Sequence, residues 1–167
     1  MKVIKLKNHI VLCLATLMAL LVGCENVECP LNNTVHAKFG FYALLNKELT
    51  AIVVNDTLTI TAAGTDSVLL NKMYNTSQIE LPMSYFGEED TLSLAFTNIE
   101  GITTFDTIWV KKINYKHFEA PACPVSMFHY VTGVRYTERL IDTVMIINPN
   151  VNYYDSENFK ILFHSAD

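Results

Sequence analysis

No Gly-x-Ser-x-Gly elbow, no phosphate-binding Gly-x-x-x-x-Gly-Lys loop and no His-Glu-x-x-His pair occurs in this sequence. Their absence removes the best-marked routes to serine hydrolase, nucleotide hydrolase and zinc protease chemistry. Basic residues are scarce as well, with 12 Lys and Arg against 17 Asp and Glu for a net charge of −5. Three of those lysines, Lys2, Lys5 and Lys7, fall in the first seven residues, and without them the net charge is −8. An acidic chain with no clustered Lys or Arg does not suit nucleic acid or anionic head groups, whose phosphates call for basic patches. Adjacent acids occur as Glu88-Glu89-Asp90, a run that solvates a hairpin tip more readily than it performs acid–base work. The expectation is a protein that is not an enzyme and needs no metal or cofactor.

An apolar run long enough to span a bilayer is also missing. Ile10 to Val22 is thirteen residues, whereas a membrane-crossing helix needs about 20. The run follows the three lysines, with no acid before Cys24, and ends in Leu21-Val22-Gly23-Cys24. A basic start, a short apolar stretch and small residues at a cut make a secretory signal, and the cut falling at cysteine resembles a bacterial lipobox. That resemblance implies that residues 1–23 are removed and that Cys24 becomes an N-terminus carrying acyl chains such as palmitate. About two acyl chains suffice for stable anchoring without a spanning helix.

Four cysteines reduce to two once Cys13 leaves with the signal and Cys24 is acylated. Cys29 and Cys123 are then expected to pair in an oxidising compartment. A Cys123 nucleophile served by His117 or His129 lacks an orienting group. A metal site from the same three residues has spacings that match no compact ligand pair. Residues 24–34 read as the lipidated N-terminus and a short tether, since Glu25 to Thr34 is polar and broken by Pro30. With Cys29 bonded, the free part is Glu25 to Glu28, about 13 Å at full extension.

Residues 35–167 read as one all-β domain, an immunoglobulin-like antiparallel sandwich of seven or eight strands. Val35, Ala37, Phe39 and Phe41 alternate with His36, Lys38, Gly40 and Tyr42; Leu58, Ile60 and Ala62 alternate with Thr57, Thr59 and Thr61. Such alternation marks half-buried strands. Phe41 to Ile52 is expected to be a strand end followed by a loop. Ile79 to Met83 is a short strand that Pro82 confines to an edge or a strand end. Thr91 to Thr97 is closed by Asn98-Ile99-Glu100-Gly101 into Thr103–Tyr115, the clearest hairpin. Apolar residues on both faces place that last strand centrally, with Lys111 and Lys112 expected to return it to solvent. Met127–Tyr136, Thr143–Ile147 and Phe159–Phe163 complete the set. A true immunoglobulin constellation is absent: Trp109 precedes Cys123, and residue 121 is proline.

The lipobox, Cys29-Pro30, Phe39-Gly40-Phe41-Tyr42 and Ala122-Cys123 resemble an uncharacterised family of Bacteroidetes lipoproteins, a domain of unknown function, although Pro124 stands where that family usually has glycine. The resemblance implies an exported β-domain on the outer membrane and supplies no activity. Glu25 and Glu28 match in part the surface-export signal of that lineage, so both faces of the membrane stay open.

Five of the seven aspartates open an Asp-hydroxyl-aliphatic triplet: Asp56-Thr57-Leu58, Asp66-Ser67-Val68, Asp90-Thr91-Leu92, Asp106-Thr107-Ile108 and Asp142-Thr143-Val144. Strand-start chemistry explains them if each Asp bonds its own backbone at a turn and the β-branched residue begins the strand. The triplets also resemble the acceptor signal of Bacteroidetes O-glycosylation, which implies glycans on Thr57, Ser67, Thr91, Thr107 and Thr143. Two functional classes follow: an accessory lipoprotein binding an envelope protein close to the membrane, or a surface glycan-binding lipoprotein. For the second, Tyr85, Phe86, Tyr115, Phe118, Tyr153 and Tyr154 are the candidate platforms, against the simpler role of covering the ends of the core.

Overall fold

The computed structural model describes residues 29, 34–65, 67–154 and 156–164. The expected signal segment and Cys24 lie outside the described residues. Among the described residues the chain is all β, in eleven strands: β1 His36–Leu45, β2 Glu48–Ala51, β3 Thr57–Ala62, β4 Val68–Met73, β5 Gln78–Pro82, β6 Glu89–Thr97, β7 Thr103–His117, β8 Ser126–Tyr136, β9 Ile141–Ile146, β10 Asn150–Val151 and β11 Phe159–Phe163.

Two sheets form a sandwich. The first has the order β2-β1-β11-β9, with β5 also on β1, and the second has the order β10-β8-β7-β6-β3-β4. The alternation in the sequence becomes the core: Ala37, Phe39 and Phe41 from β1 and Phe159 and Ile161 from β11 face Leu58, Ile60, Leu94, Phe96, Ile108 and Val110 from the opposite sheet, all nearly inaccessible. Phe163 joins the layers, meeting both Phe41 and Phe96 edge-to-face at 5.6 Å. Each fully buried side chain of this size contributes roughly 1.5–3 kcal/mol, so the core supplies the main drive for closing the two sheets.

Local chemistry sets the turns. Asn98 Oδ1 accepts from the N–H of Glu100 and of Ile102, and Gly101 takes φ 82°, closing β6 onto β7 with Thr97 opposite Thr103. Pro82 ends β5, which pairs with β1 at a sheet edge as a missing N–H requires. Gly40 is needed for a close approach: a Cβ there would meet Glu157 Oε1 at 1.8 Å, and that carboxylate accepts from the Tyr42 hydroxyl across the gap at 2.9 Å.

The structure departs from the sequence reading in four places. The stretch after Phe41 is a hairpin and not a loop, because Asn46 and Lys47 both adopt positive φ and return the chain as β2. With β2, β4 and β10 the strand count exceeds seven or eight; β4 escapes an alternation test because it is an edge strand with largely exposed side chains and a positive-φ residue, Lys72. Pairing is not wholly antiparallel, since β1 and β11 run parallel with Phe39 opposite Phe159 and their rings stacked at 4.5 Å. Lys112 does not return β7 to solvent; it is 2% exposed.

Cys29 and Cys123 are disulfide-bonded with Cα atoms 5.3 Å apart. Neither lies in a strand, so the bond clips the segment before β1 onto the loop between β7 and β8. A sequence separation of 94 encloses a long loop, for which the chain-entropy model gives a stabilisation of up to about 4.7 kcal/mol. The C29S/C123S protein is therefore expected to unfold at lower urea with an unchanged fold. Equal midpoints for this variant and the oxidised wild type would show that the bond constrains little of the unfolded chain.

Candidate functional site

Strand directions define one pole of the sandwich. The start of β1, the end of β5, the start of β6, the end of β7, the start of β8 and the end of β10 all meet there, as the registers require. Three loops crown it, residues 83–88 and 118–125 and, among the described residues of the third, 152–154 and 156–158. They and the last turns of β7 carry all six aromatics singled out from the sequence. Phe86 is 94% exposed, Tyr154 80% and Phe118 56%, with Tyr85, Tyr115 and Tyr153 near 40%. Tyr115 and Tyr153 pack edge-to-face on buried Phe128, at 5.9 and 5.0 Å, and so cover one end of the core, whereas Phe86, Phe118 and Tyr154 are exposed over most of their surface. An open groove of about 650 Å³ runs beside Tyr85 and Phe86, lined also by Lys111, Lys116 and Met127.

A buried charge fixes the first loop. Lys112 Nζ donates to Ser84 O at 2.9 Å, to Gly87 O at 2.5 Å and to Ser84 Oγ at 3.1 Å, and stands 3.4 Å from Asp90 Oδ2. Asp90 in turn accepts from the Ser84 N–H at 3.1 Å and from the Ser84 hydroxyl. Lys112 N also donates to Glu88 O at 2.7 Å. Tyr85 and Phe86 are thus displayed by a loop whose flanking carbonyls both point at one ammonium. Burial pushes the Lys112 pKa below its ordinary value, opposed by the Asp90 charge. A serine within reach of a lysine invites a Ser–Lys nucleophile reading, but the protons run the wrong way. The Ser84 hydroxyl donates to Asp90 while accepting from Lys112, and a lysine directed at two carbonyls and a carboxylate is an ammonium with no free lone pair.

His129 sits behind this cluster at 0% exposure. Asn114 Nδ2 donates to Gly87 O at 2.8 Å, leaving its Oδ1 to accept from His129 Nδ1 at 2.7 Å. The ring is therefore the neutral Nδ1–H tautomer, and its Nε2 has no partner among the described residues. Burial first, then the Lys112 charge, hold its pKa down at about 4, with Asp90 pulling the other way. His117 stacks on Phe128 at 4.2 Å. Phe128 and His129 are neighbours in regular register on β8, so they point to opposite faces of the sheet. His117, Cys123 and His129 thus do not converge, and Cys123 has no thiol to offer.

The other two loops are pinned by comparable means. The disulfide holds residues 118–125. Asn158, 2% exposed, donates from Nδ2 to Asn148 O and Asn150 O and accepts at Oδ1 from Lys38 N, and Tyr153 joins its hydroxyl to Ser126 and its ring to Phe128 at 5.0 Å.

The Asp triplets divide. Asp106 is buried in mid-strand, and its carboxylate accepts from Thr137 Oγ1 and from the N–H groups of Arg139, Leu140 and Ile141. Asp90 serves the Lys112 cluster. Asp90 does bond the turn before its own strand, through the Ser84 N–H, whereas Asp106 bonds Thr137 and residues 139–141 and is not accounted for by self-bonding at a strand start. The aliphatic members Leu58, Leu92, Ile108 and Val144 point inward, whereas Val68 is 54% exposed. Thr57, Thr91 and Thr107 share the outer face of the six-stranded sheet, Thr143 lies on β9 and Ser67 on the β3–β4 turn. Asp66 lies outside the described residues. Lys112 was missed at first sight because a Lys-Lys pair reads as a solvated strand end; its only sequence signal is its even register with Asp106, Ile108 and Val110.

Removing one partner of a buried pair leaves an uncompensated charge and costs about 3–5 kcal/mol. Since the Lys112 side chain is inaccessible and that of Asp90 is 12% exposed, Asp90→Ala is expected to lose about that much. Lys112→Met, which leaves an anion able to rehydrate, should lose roughly 1–3 kcal/mol. Denaturation in urea reads both, and a reversed order would contradict the geometry. For His129 the folded pKa of about 4 lies below the unfolded value near 6.5. Its contribution is intact above about pH 6.5 and is lost as pH falls toward 4, by on the order of 3 kcal/mol in all. The wild type minus His129→Gln stability difference should shrink across that window; a flat difference would contradict a neutral buried ring.

No curated protein and no solved structure matches the chain. A family model does, over residues 57–163, from the start of β3 to the end of β11. That match spans more than half of the sequence, and the chain therefore belongs to the family of unknown function DUF6452.

Proposed function

We propose that the protein is a non-enzymatic cell-envelope lipoprotein, acylated on Cys24, in which the β-sandwich is an accessory domain that binds a protein partner close to the outer membrane. The observation that carries this reading is the position of Cys29. It is bonded into one pole of the domain and lies five residues after the lipobox cysteine, so acylation of Cys24 would leave a tether of about 17 Å at full extension. The likeness to Bacteroidetes lipoproteins supports the same lineage and location.

The opposite pole supports a protein partner. There the β1–β2 and β6–β7 hairpins leave Leu44, Leu45, Leu49, Ile99 and Ile102 exposed, Ile99 at 93%. Aliphatic side chains at two hairpin tips, turned away from the anchor, suit an apolar contact with another envelope protein. The proton arrangement at Ser84 and Lys112 supports the non-enzymatic reading. A glycan platform would be favoured by flat, coplanar rings; Tyr85 and Phe86 meet at 71°. Modification by glycans at Thr57, Ser67, Thr91, Thr107 and Thr143 belongs to the same proposal, since the side chains of Thr57, Thr91 and Thr107 lie on an outer sheet face.

Cys24→Ala should leave the protein unprocessed at residue 23 and out of the acylated membrane fraction; continued processing and membrane retention would contradict the lipoprotein reading. A photo-crosslinking residue at Leu49 or Ile99 in living cells should trap one envelope protein, and adducts no more frequent than at outer-face Thr59 would contradict the partner reading. Intact mass from the native host tests the glycans: a mass equal to the lipidated polypeptide alone contradicts them.

A further inference from the structure

We infer that the aromatic pole is a membrane-docking surface, whose exposed rings sit in the head-group region of the bilayer that carries the anchor. The inference rests on the lipoprotein reading and adds an orientation to it. Its first ground is distribution. Nine aromatic side chains are markedly exposed among the described residues, and six of them, Tyr85, Phe86, Tyr115, Phe118, Tyr153 and Tyr154, lie at the pole that holds Cys29. The opposite pole exposes mainly aliphatics. Tyr and Trp concentrate at membrane–water interfaces because a flat apolar body with a polar tip fits a region of mixed polarity; four of the six rings are Tyr, and Phe86 and Phe118 add apolar surface that the acyl boundary can bury.

The second ground is reach. Only Glu25 to Glu28 separate an acylated Cys24 from Cys29, five residue steps that span about 17 Å fully extended. The lipid-anchored end of that tether starts at the interface, so the pole cannot stand clear of the head groups by more than this span. The disulfide removes slack that residues 29–34 would otherwise add.

The third ground is rigidity. Phe86, Phe118 and Tyr154 come from three different loops, each tied to the sandwich by its own device: the Lys112 ammonium, the Cys29–Cys123 bond and the Asn158 amide. Exposed rings on fixed loops enter an interface with little ordering cost, since their positions are already set. Lys111 and Lys116, lining the groove behind Tyr85 and Phe86, can meet lipid phosphates. Glu88 and Glu119 at the same pole disfavour an anionic surface, so zwitterionic lipid is the matched probe.

The test uses the full chain, matured in cells and reconstituted into phosphatidylcholine vesicles with brominated acyl chains. In a Trp109→Phe background, single probes are placed by Phe86→Trp, Phe118→Trp, Tyr154→Trp and, at the opposite pole, Ile99→Trp. Fluorescence at the first three positions should be blue-shifted and quenched by the bromolipid, while the Ile99→Trp signal is unchanged. Absence of quenching at all four, with the protein still floating with the vesicles, overturns the docking pole and leaves the anchor intact. Failure to float, identical to that of Cys24→Ala, removes the anchor and the docking pole together. Perturbation of the first three probes by soluble oligosaccharide without bromolipid quenching overturns docking in favour of a glycan surface. Should the Trp109→Phe background not fold, hydrogen exchange on the unmodified chain reads the same contrast: residues 83–88 and 118–125 gain protection on vesicles relative to Cys24→Ala in solution, and equal exchange overturns the inference.

Discussion

A single ammonium buried where strand alternation would put an aliphatic residue sets the conditions for one end of this molecule. Lys112 occupies the register position that follows Asp106, Ile108 and Val110 on the inner face of β7, and an isolated charge there would cost several kcal/mol. The chain meets that cost by folding the 83–88 loop over it, so that Ser84 O, Gly87 O and Asp90 surround Nζ. The loop conformation is thus a consequence of the buried charge. Once Gly87 O is committed to Lys112 and Asn114, the tautomer of His129 follows from hydrogen-bond parity, and its depressed pKa follows from the same positive neighbour. Asp106 does the converse at the opposite pole, where a buried carboxylate gathers three backbone N–H groups of residues 139–141.

The pattern extends to function. Polar side chains buried in the sandwich hold loops, and the loops hold aromatic rings in water at the end where the chain would leave for the membrane. Membership of a family of unknown function brings no chemistry with it; the features that bear on function are where the disulfide sits, which pole carries rings and which carries aliphatics. Both poles are apolar, but one through aromatic rings and the other through aliphatic side chains, and under the proposed acylation of Cys24 a sandwich with two such ends would be suited to bridging a membrane and a protein.

What the sequence disclosed and what it withheld divide along the range of the interactions. Alternation exposed the inner faces of β1, β3 and β6 because each is a local, period-two signal, apolar residues on both faces placed β7 centrally, and the Asn-x-x-Gly turn marked the β6–β7 hairpin. Cysteine arithmetic reached the long-range Cys29–Cys123 bond because only two thiols were left to pair. The parallel partnership of β1 with β11 had no such signal; it joins the two ends of the domain, and nothing in Phe159–Phe163 by itself names Phe39–Ala43 as a neighbour. Lys112 and Asp90 read as solvated charges since sequence carries no information on burial, and the loop that buries them lies more than twenty residues upstream of Lys112. The six aromatics were identifiable as loop residues, but their gathering at one pole needed the strand directions.

The most direct test of buried polar groups as the anchors of these loops is native-state hydrogen exchange resolved to single amides. The Ser84 N–H, bonded to Asp90, and the Leu140 N–H, bonded to Asp106, lie outside the strands yet should exchange as slowly as Leu94 and Ile108 in the central sheet. Exchange of Ser84 and Leu140 at the rate of the open turn at Gly64 would contradict the account.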